Sequence, residues 1–112
     1  MEKYTYSGED FKAVFTTNYW KIGLLKYSER FSSLSVWERH LKTDEVFVLL
    51  SGTAILYIKD TDGVIKQEKM KIGTVYNVPA MEWHHIVVSE DATVMVVEDS
   101  DTSKENTEKV TI

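Results

Sequence analysis

Short apolar stretches separated by turn residues dominate the chain, and several of them alternate between apolar and polar positions. Such a pattern is typical of short β-strands rather than of long helices. The predicted strands cover residues 18–27, 34–40, 45–50, 53–59, 64–70, 74–78, 84–88 and 92–98. Because no stretch has the apolar spacing of a long amphipathic helix, the pattern favours an all-β sandwich or barrel.

The two ends of the chain carry weaker signals. Residues 1–17 are mixed in character, and within them Glu9–Phe15 is compatible with one helical turn or an irregular edge. Residues 99–112 are mostly polar and show no periodicity, which indicates a loop or a partly ordered tail; a lid over the barrel is the alternative. We therefore expect a single domain over residues 1–112, with an N-terminal arm (1–17) and a polar C-terminal tail (99–112).

Composition narrows the classes of partner and location. A net charge of −5 argues against a nucleic-acid partner, which would require a basic face. The absence of cysteine excludes disulfides and thiolate metal sites. No apolar run approaches the roughly 20 residues of a transmembrane helix, and the first residues lack the apolar segment of a secretory signal. We expect no membrane partner and a cytoplasmic location.

The strongest chemical signal lies between residues 38 and 52. Glu38 and His40 are two positions apart, so they share one face of a strand. Glu45 opens the apolar run of residues 46–50, where a carboxylate is costly unless it is paired, hydrogen-bonded or bound to a cation. A register shift of one residue is the alternative, and it would turn Trp37 and Arg39 inward and Glu38 outward.

This segment resembles the first motif of the cupin superfamily, G-x5-H-x-H-x(3–4)-E-x6-G. The positions of His40, Glu45 and Gly52 match the motif in residue type and spacing. Glu38 replaces the first histidine of the motif, and the leading glycine is absent.

A second segment resembles the second cupin motif, G-x5-P-x-G-x2-H-x3-N. Gly73, Pro79 and His84 fall in place, whereas Met81 and Val88 replace the usual second glycine and the asparagine. The resemblance spans residues 34 to 98 and implies a double-stranded β-helix, or jelly roll. The histidine that follows the motif position, at residue 85, must face the other side of its strand, and we interpret it as a surface or interface residue.

The resemblance also implies a metal site in the barrel. Carried across residue by residue, its ligands are Glu38, His40, Glu45 and His84. Two imidazoles and two carboxylates suit a divalent transition metal such as Zn, Fe, Mn, Ni or Co. The alternative is a site without metal, in which the glutamate at position 45 hydrogen-bonds the two histidines.

Four further residues are expected first of all in the barrel core, where they can wall a pocket: Phe47, Tyr57, Tyr76 and Ile86. We predict a cupin that binds a small molecule and a metal, and that acts as a metal-dependent enzyme on a small polar or acidic substrate. The alternatives are a non-catalytic binding module and a metal-free sugar epimerase or isomerase. In the last case a site histidine would be the base and one of the two tyrosines the acid. We also expect a homodimer, because small cupins commonly pair through edge strands and the aromatic N-terminal strand suits this.

Overall fold

In a computed structural model, which describes residues 1–112, the chain forms ten β-strands and two single-turn 3-10 helices. The strands are β1 (Phe11–Thr16), β2 (Trp20–Lys26), β3 (Val36–His40), β4 (Glu45–Ser51), β5 (Ala54–Lys59), β6 (Ile65–Lys69), β7 (Val75–Val78), β8 (Trp83–Val88), β9 (Thr93–Asp99) and β10 (Thr107–Thr111). The 3-10 helices cover Glu29–Phe31 and Lys104–Asn106. Neither helix has the length or the apolar character needed to cross a membrane.

The strands form two antiparallel five-stranded sheets. The first has the order β1-β2-β9-β4-β7, and the second has the order β10-β3-β8-β5-β6. The chain passes repeatedly from one sheet to the other, as in β3 to β4 and in β7 to β8 to β9. The inward side chains of both sheets meet in one core. The predicted all-β jelly roll is therefore confirmed.

The pairing of β4 with β9 grades the interior from charged to apolar. Three successive pairs face each other across these strands: Glu45 with Glu98, Phe47 with Val96, and Leu49 with Val94. The last pair is almost completely buried, with exposures of 1% and 0%. The barrel therefore has a charged end, where β4 begins and β9 ends, and an apolar end.

Two strands escaped the sequence analysis, one at each end of the chain. The helical turn or irregular edge expected over Glu9–Phe15 is wrong, because β1 occupies most of it and pairs with β2. A register irregularity between Ala13 and Phe15 breaks the two-residue alternation that would have marked this strand. The residues expected to form a loop or tail contain β10, which pairs with β3. As a sheet edge with four exposed residues, β10 needs no apolar alternation.

Candidate metal centre

Three buried side chains from different strands converge at the charged end of the barrel. His40 ends β3, Glu45 begins β4, and His84 lies near the start of β8. The Oε1 atom of Glu45 lies 3.0 Å from Nε2 of His40 and 2.9 Å from Nε2 of His84. One ligand atom from each residue lies within 4.8 Å of the others. The structure thus brings together residues that the two sequence motifs carry 39 positions apart.

Glu38 lies at the edge of this cluster. Its backbone pairs with that of His84 between β3 and β8, so the two side chains share a face. The Oε1 atom of Glu38 is 3.5 Å from Nε2 of His40, and its side chain is 25% exposed. Both Glu38 and His40 line the interior cavity. The alternative register, with Trp37 and Arg39 turned inward, does not occur.

The ring nitrogens that face away from the cluster are also engaged. His84 Nδ1 lies 3.0 Å from the carbonyl oxygen of Glu82, which can only accept a hydrogen bond, so Nδ1 carries a proton. His40 Nδ1 lies 2.9 Å from the hydroxyl of Thr107. Such partners fix the orientation of metal-binding histidines. In its neutral form, His84 then directs an Nε2 lone pair at a Glu45 oxygen, an arrangement that is favourable only with a cation or proton in between.

The electrostatics of the cluster agree with that requirement. Burial lowers the pKa of both His40 and His84, but the hydrogen bonds and charge of Glu45 outweigh it and leave each pKa above its ordinary value. Burial alone would raise the pKa of Glu45, yet the hydrogen bonds from the two imidazoles lower it well below its ordinary value. Since nitrogen and carboxylate donors converge with deprotonation of the acid favoured, these residues fit a divalent transition metal.

Glu98 is a buried carboxyl group that the sequence analysis did not assign to the site. It lies directly opposite Glu45 on β9 and next to Lys21 on β2, whose Nζ is 3.8 Å from Oε1 of Glu98. Burial and then the charge of Glu45 raise the pKa of Glu98 to about 7, against the opposing effect of Lys21. The signal was present in the sequence, because Glu98 continues the inward phase of Val94 and Val96.

A cavity of about 610 Å³ opens beside the cluster. Two of the predicted pocket residues, Phe47 and Ile86, line it, whereas Tyr57 and Tyr76 do not. This corrects the expectation for both tyrosines. Tyr57 lies out of the buried phase of β5, and the hydroxyl of Tyr76 accepts a hydrogen bond from the backbone N–H of Lys71 instead.

The C-terminal residues form part of the cavity wall. Five of them contribute to the lining: Thr102, Ser103, Lys104, Thr107 and Lys109. This position agrees with the alternative considered above, in which the C-terminal residues cover the barrel. None of the five was predicted as a site residue, because their sequence carries no motif and their pairing partner β3 is distant along the chain.

His85 was expected at the surface or at an interface, and this expectation is wrong because the residue is buried. Its Nε2–H donates a hydrogen bond to the carbonyl oxygen of Ser33 at 3.0 Å, and its ring centroid lies 6.3 Å from that of Phe31. Burial lowers the pKa of His85. The residue therefore packs beneath the first 3-10 helix and makes no contact with Glu45.

The second motif departs from the cupin pattern at Met81, where the backbone explains the usual glycine. Met81 has a φ angle of 73°, in the left-handed region that glycine adopts most readily. Its N–H donates a hydrogen bond to the carbonyl oxygen of His40 at 2.7 Å. The turn that leads into β8 is thereby joined to the end of β3.

Comparisons with known proteins support the same fold. No protein-family model and no curated protein sequence matches this chain. A cupin-2 domain protein from Shewanella frigidimarina superposes with a TM-score of 0.66 at 22% identity, over 84% of each chain. Streptomyces PAC13, solved with uridine, gives a TM-score of 0.70 at 9% identity, over 98% of this chain and 91% of that one.

A mutant of Bacillus subtilis oxalate decarboxylase superposes with a TM-score of 0.67 at 18% identity. The match covers 84% of this chain but only 25% of the decarboxylase, so this chain spans about a quarter of that enzyme. At such identities the matches establish the architecture. The resemblance noted in the sequence is confirmed at that level, and the chain has the cupin fold.

Proposed function

We propose that this protein holds a divalent transition metal ion in its barrel and binds a small polar or acidic molecule beside it. The proposed ligands are His40, Glu45 and His84, with Glu38 as a fourth. The observation that carries this proposal is the convergence of two buried Nε2 atoms on one carboxylate oxygen, with the Nδ1 atoms already held by other groups.

The charge of this ligand set shapes the chemistry it can support. Two carboxylates neutralise a divalent ion, whereas a set of three histidines and one glutamate would leave a positive charge. When bound, the metal would act as a Lewis acid toward an oxygen of the small molecule, more weakly than with three histidines. Glu98 lies next to the ligand Glu45 with a pKa near neutrality, so we propose that it exchanges a proton with the bound molecule.

Structurally similar proteins support a role in metal or small-molecule binding. Bacillus subtilis oxalate decarboxylase has Mn(II) centres, and PAC13 was solved with uridine. The cavity of this chain, about 610 Å³, lies within the range of small-molecule sites. We propose Zn, Fe, Mn, Ni or Co as the metal and a small molecule as the partner.

Elemental analysis of protein purified without added metal tests the proposal, together with reloading after treatment with a chelator. We expect about one equivalent of metal in the wild type. The His84→Ala variant should bind metal at least 100-fold more weakly, about 2.7 kcal/mol, because it removes a ligand nitrogen. The matched control is His85→Gln, which removes the adjacent imidazole and retains a donor for Ser33. Equal metal affinity in the two variants, or a wild type that does not load, would contradict the proposal.

A second candidate function needs no metal. Glu45 can accept hydrogen bonds from both imidazoles at once, so the cluster is also satisfied as a carboxylate between charged histidines. The barrel would then serve as a binding module, or as a sugar epimerase or isomerase with His40 or His84 as the base. The acid would have to come from a residue other than Tyr57 or Tyr76. Ligand binding that persists unchanged after complete metal removal would favour this candidate.

We also propose a cytoplasmic homodimer. The support comes from β1, which is an edge strand of its sheet, and from the aromatic residues Tyr19 and Trp20 beside it, which are exposed. An open edge of this kind can pair with another chain. The mass of the protein in solution, measured by light scattering, tests the dimer.

A further inference from the structure

The cavity concentrates positive charge in an otherwise acidic protein. Four of the 13 basic residues line it against three of the 18 acidic residues, which leaves nine basic and fifteen acidic residues elsewhere. The basic lining residues are Lys21, Arg30, Lys104 and Lys109. A bound divalent cation would add to this excess. The outer surface therefore disfavours anions, while the interior offers them opposite charge.

Two of the four cations are already committed to partners within the protein. Lys21 lies 3.8 Å from Glu98 and donates a hydrogen bond to the carbonyl oxygen of Thr102. Arg30 binds Asp10 through two nitrogens, each 2.7 Å from the same carboxylate oxygen. These side chains shape the cavity wall, but their charges are largely balanced locally.

The other two cations remain available. Lys104 takes part in none of the salt bridges of the chain. Lys109 has one distant partner, Glu38, with 3.9 Å between Nζ and Oε2, and its side chain is 54% exposed. Glu38 is itself a proposed metal ligand, so metal binding would reduce its attraction for Lys109. Two ammonium groups thus face the cavity without a close carboxylate.

The backbone that carries these two lysines is fixed to the barrel. The Asn106 side chain is buried, accepts a hydrogen bond from the Ser103 N–H at 2.9 Å, and donates one to the carbonyl oxygen of Asp101 at 2.7 Å. Leu41 N–H donates to the carbonyl oxygen of Asn106. Through its contact with His40, the hydroxyl of Thr107 joins the same segment to the metal cluster. The lysines are therefore presented from a built wall rather than from a loose tail.

We propose that this C-terminal wall is an anion-binding subsite, in which Lys104 and Lys109 receive a carboxylate or phosphate group of the small molecule. The inference rests on the proposed function, because the metal would hold another oxygen of the same molecule. It narrows the ligand from polar or acidic molecules to anionic ones. A charge pair at the cavity wall is stronger than one in bulk water, because the surrounding protein lowers the effective dielectric constant.

Calorimetric titration of Zn-loaded protein with three matched probes tests this subsite. Glycerate carries a carboxylate, glycerol 3-phosphate carries a phosphate, and glycerol is neutral. We expect at least one of the two anions to bind, with an affinity that falls as salt is added, and glycerol to bind at least tenfold more weakly. The stronger of the two anions identifies the group that the subsite takes. Equal affinity for glycerol and the anions, or no binding of either anion, would overturn the inference.

Substitutions locate the binding site. The double variant Lys104→Ala/Lys109→Ala should weaken anion binding at least tenfold. The control Lys66→Ala/Lys69→Ala makes the same change of charge on β6, whose residues are all exposed, and should alter binding less than twofold. Metal content is measured on every sample, so failure of the metal site is seen separately from failure of the subsite. Unchanged anion binding in the first variant would refute the assignment even if metal is fully bound.

Discussion

The two ends of the barrel are built from the same strands and do opposite things. At the apolar end, β4, β8 and β9 contribute Leu49, Val88 and Val94. At the charged end the same strands contribute Glu45, His84 and Glu98. Burying apolar surface stabilises the fold, whereas burying titratable groups opposes folding unless each group finds a partner. The difference indicates that the apolar end supports a functional end that could not fold by itself.

The sharpest test of this division is Leu49→Ala at the apolar end. Removing a fully buried leucine side chain should lower the free energy of unfolding by about 3 kcal/mol, through lost burial and the cavity left behind. Metal stoichiometry of the folded protein should not change. Denaturant unfolding in the presence of a chelator measures the first quantity, and elemental analysis measures the second. Ile72→Ala, at an exposed position, is the control and should cost less than about 0.5 kcal/mol.

At the charged end, Glu98→Gln should reverse a cost that depends on pH. Because the pKa of Glu98 is raised from 4.5 to about 7, its stabilising contribution is present below pH 4.5 and is lost as the pH rises through about 7. Glutamine does not titrate. Relative to wild type, the metal-free variant should therefore gain about 2 kcal/mol of stability between pH 4.5 and 8.

Denaturant unfolding at several pH values checks this expectation. A constant difference between the two proteins across that range would show that Glu98 has an ordinary pKa. The comparison of the two ends would then lose its main electrostatic cost.

A smaller effect is expected for Thr107→Val, which removes the hydroxyl beside Nδ1 of His40 while keeping the shape of the side chain. We expect metal affinity to fall about tenfold, because the imidazole loses the partner that fixes its orientation. Competition with a chromophoric chelator measures the affinity. Thr111→Val, at an exposed position on the same strand, should leave it unchanged, and an equal loss in both variants would point to general weakening of β10.

The sequence predicted those parts of the fold whose signals are local. Alternation and turn residues marked all the strands from β2 to β9, and the motif spacing selected His40, Glu45 and His84. By contrast, β1 was hidden by an irregular register and β10 by the polarity of an edge strand.

The contacts between distant segments could not be predicted in the same way. Thr107 meets His40 only because β10 closes the sheet beside β3. Glu98 was on the correct face of its strand, but only the register of β9 against β4 places it opposite Glu45. The failure of Tyr76 has a different cause, since the residue packs against the core but its hydroxyl reaches the backbone of Lys71.

One rung of the first sheet has a consequence for the evolution of this chain. Lys21, Glu98 and Glu45 are direct neighbours across β2, β9 and β4, although they lie far apart in sequence. Loss of the lysine would leave two acids side by side, so drift at one position changes which residues are acceptable at the other two. Among homologues these three columns should therefore covary, and a basic residue at position 21 should be found together with an acid at position 98.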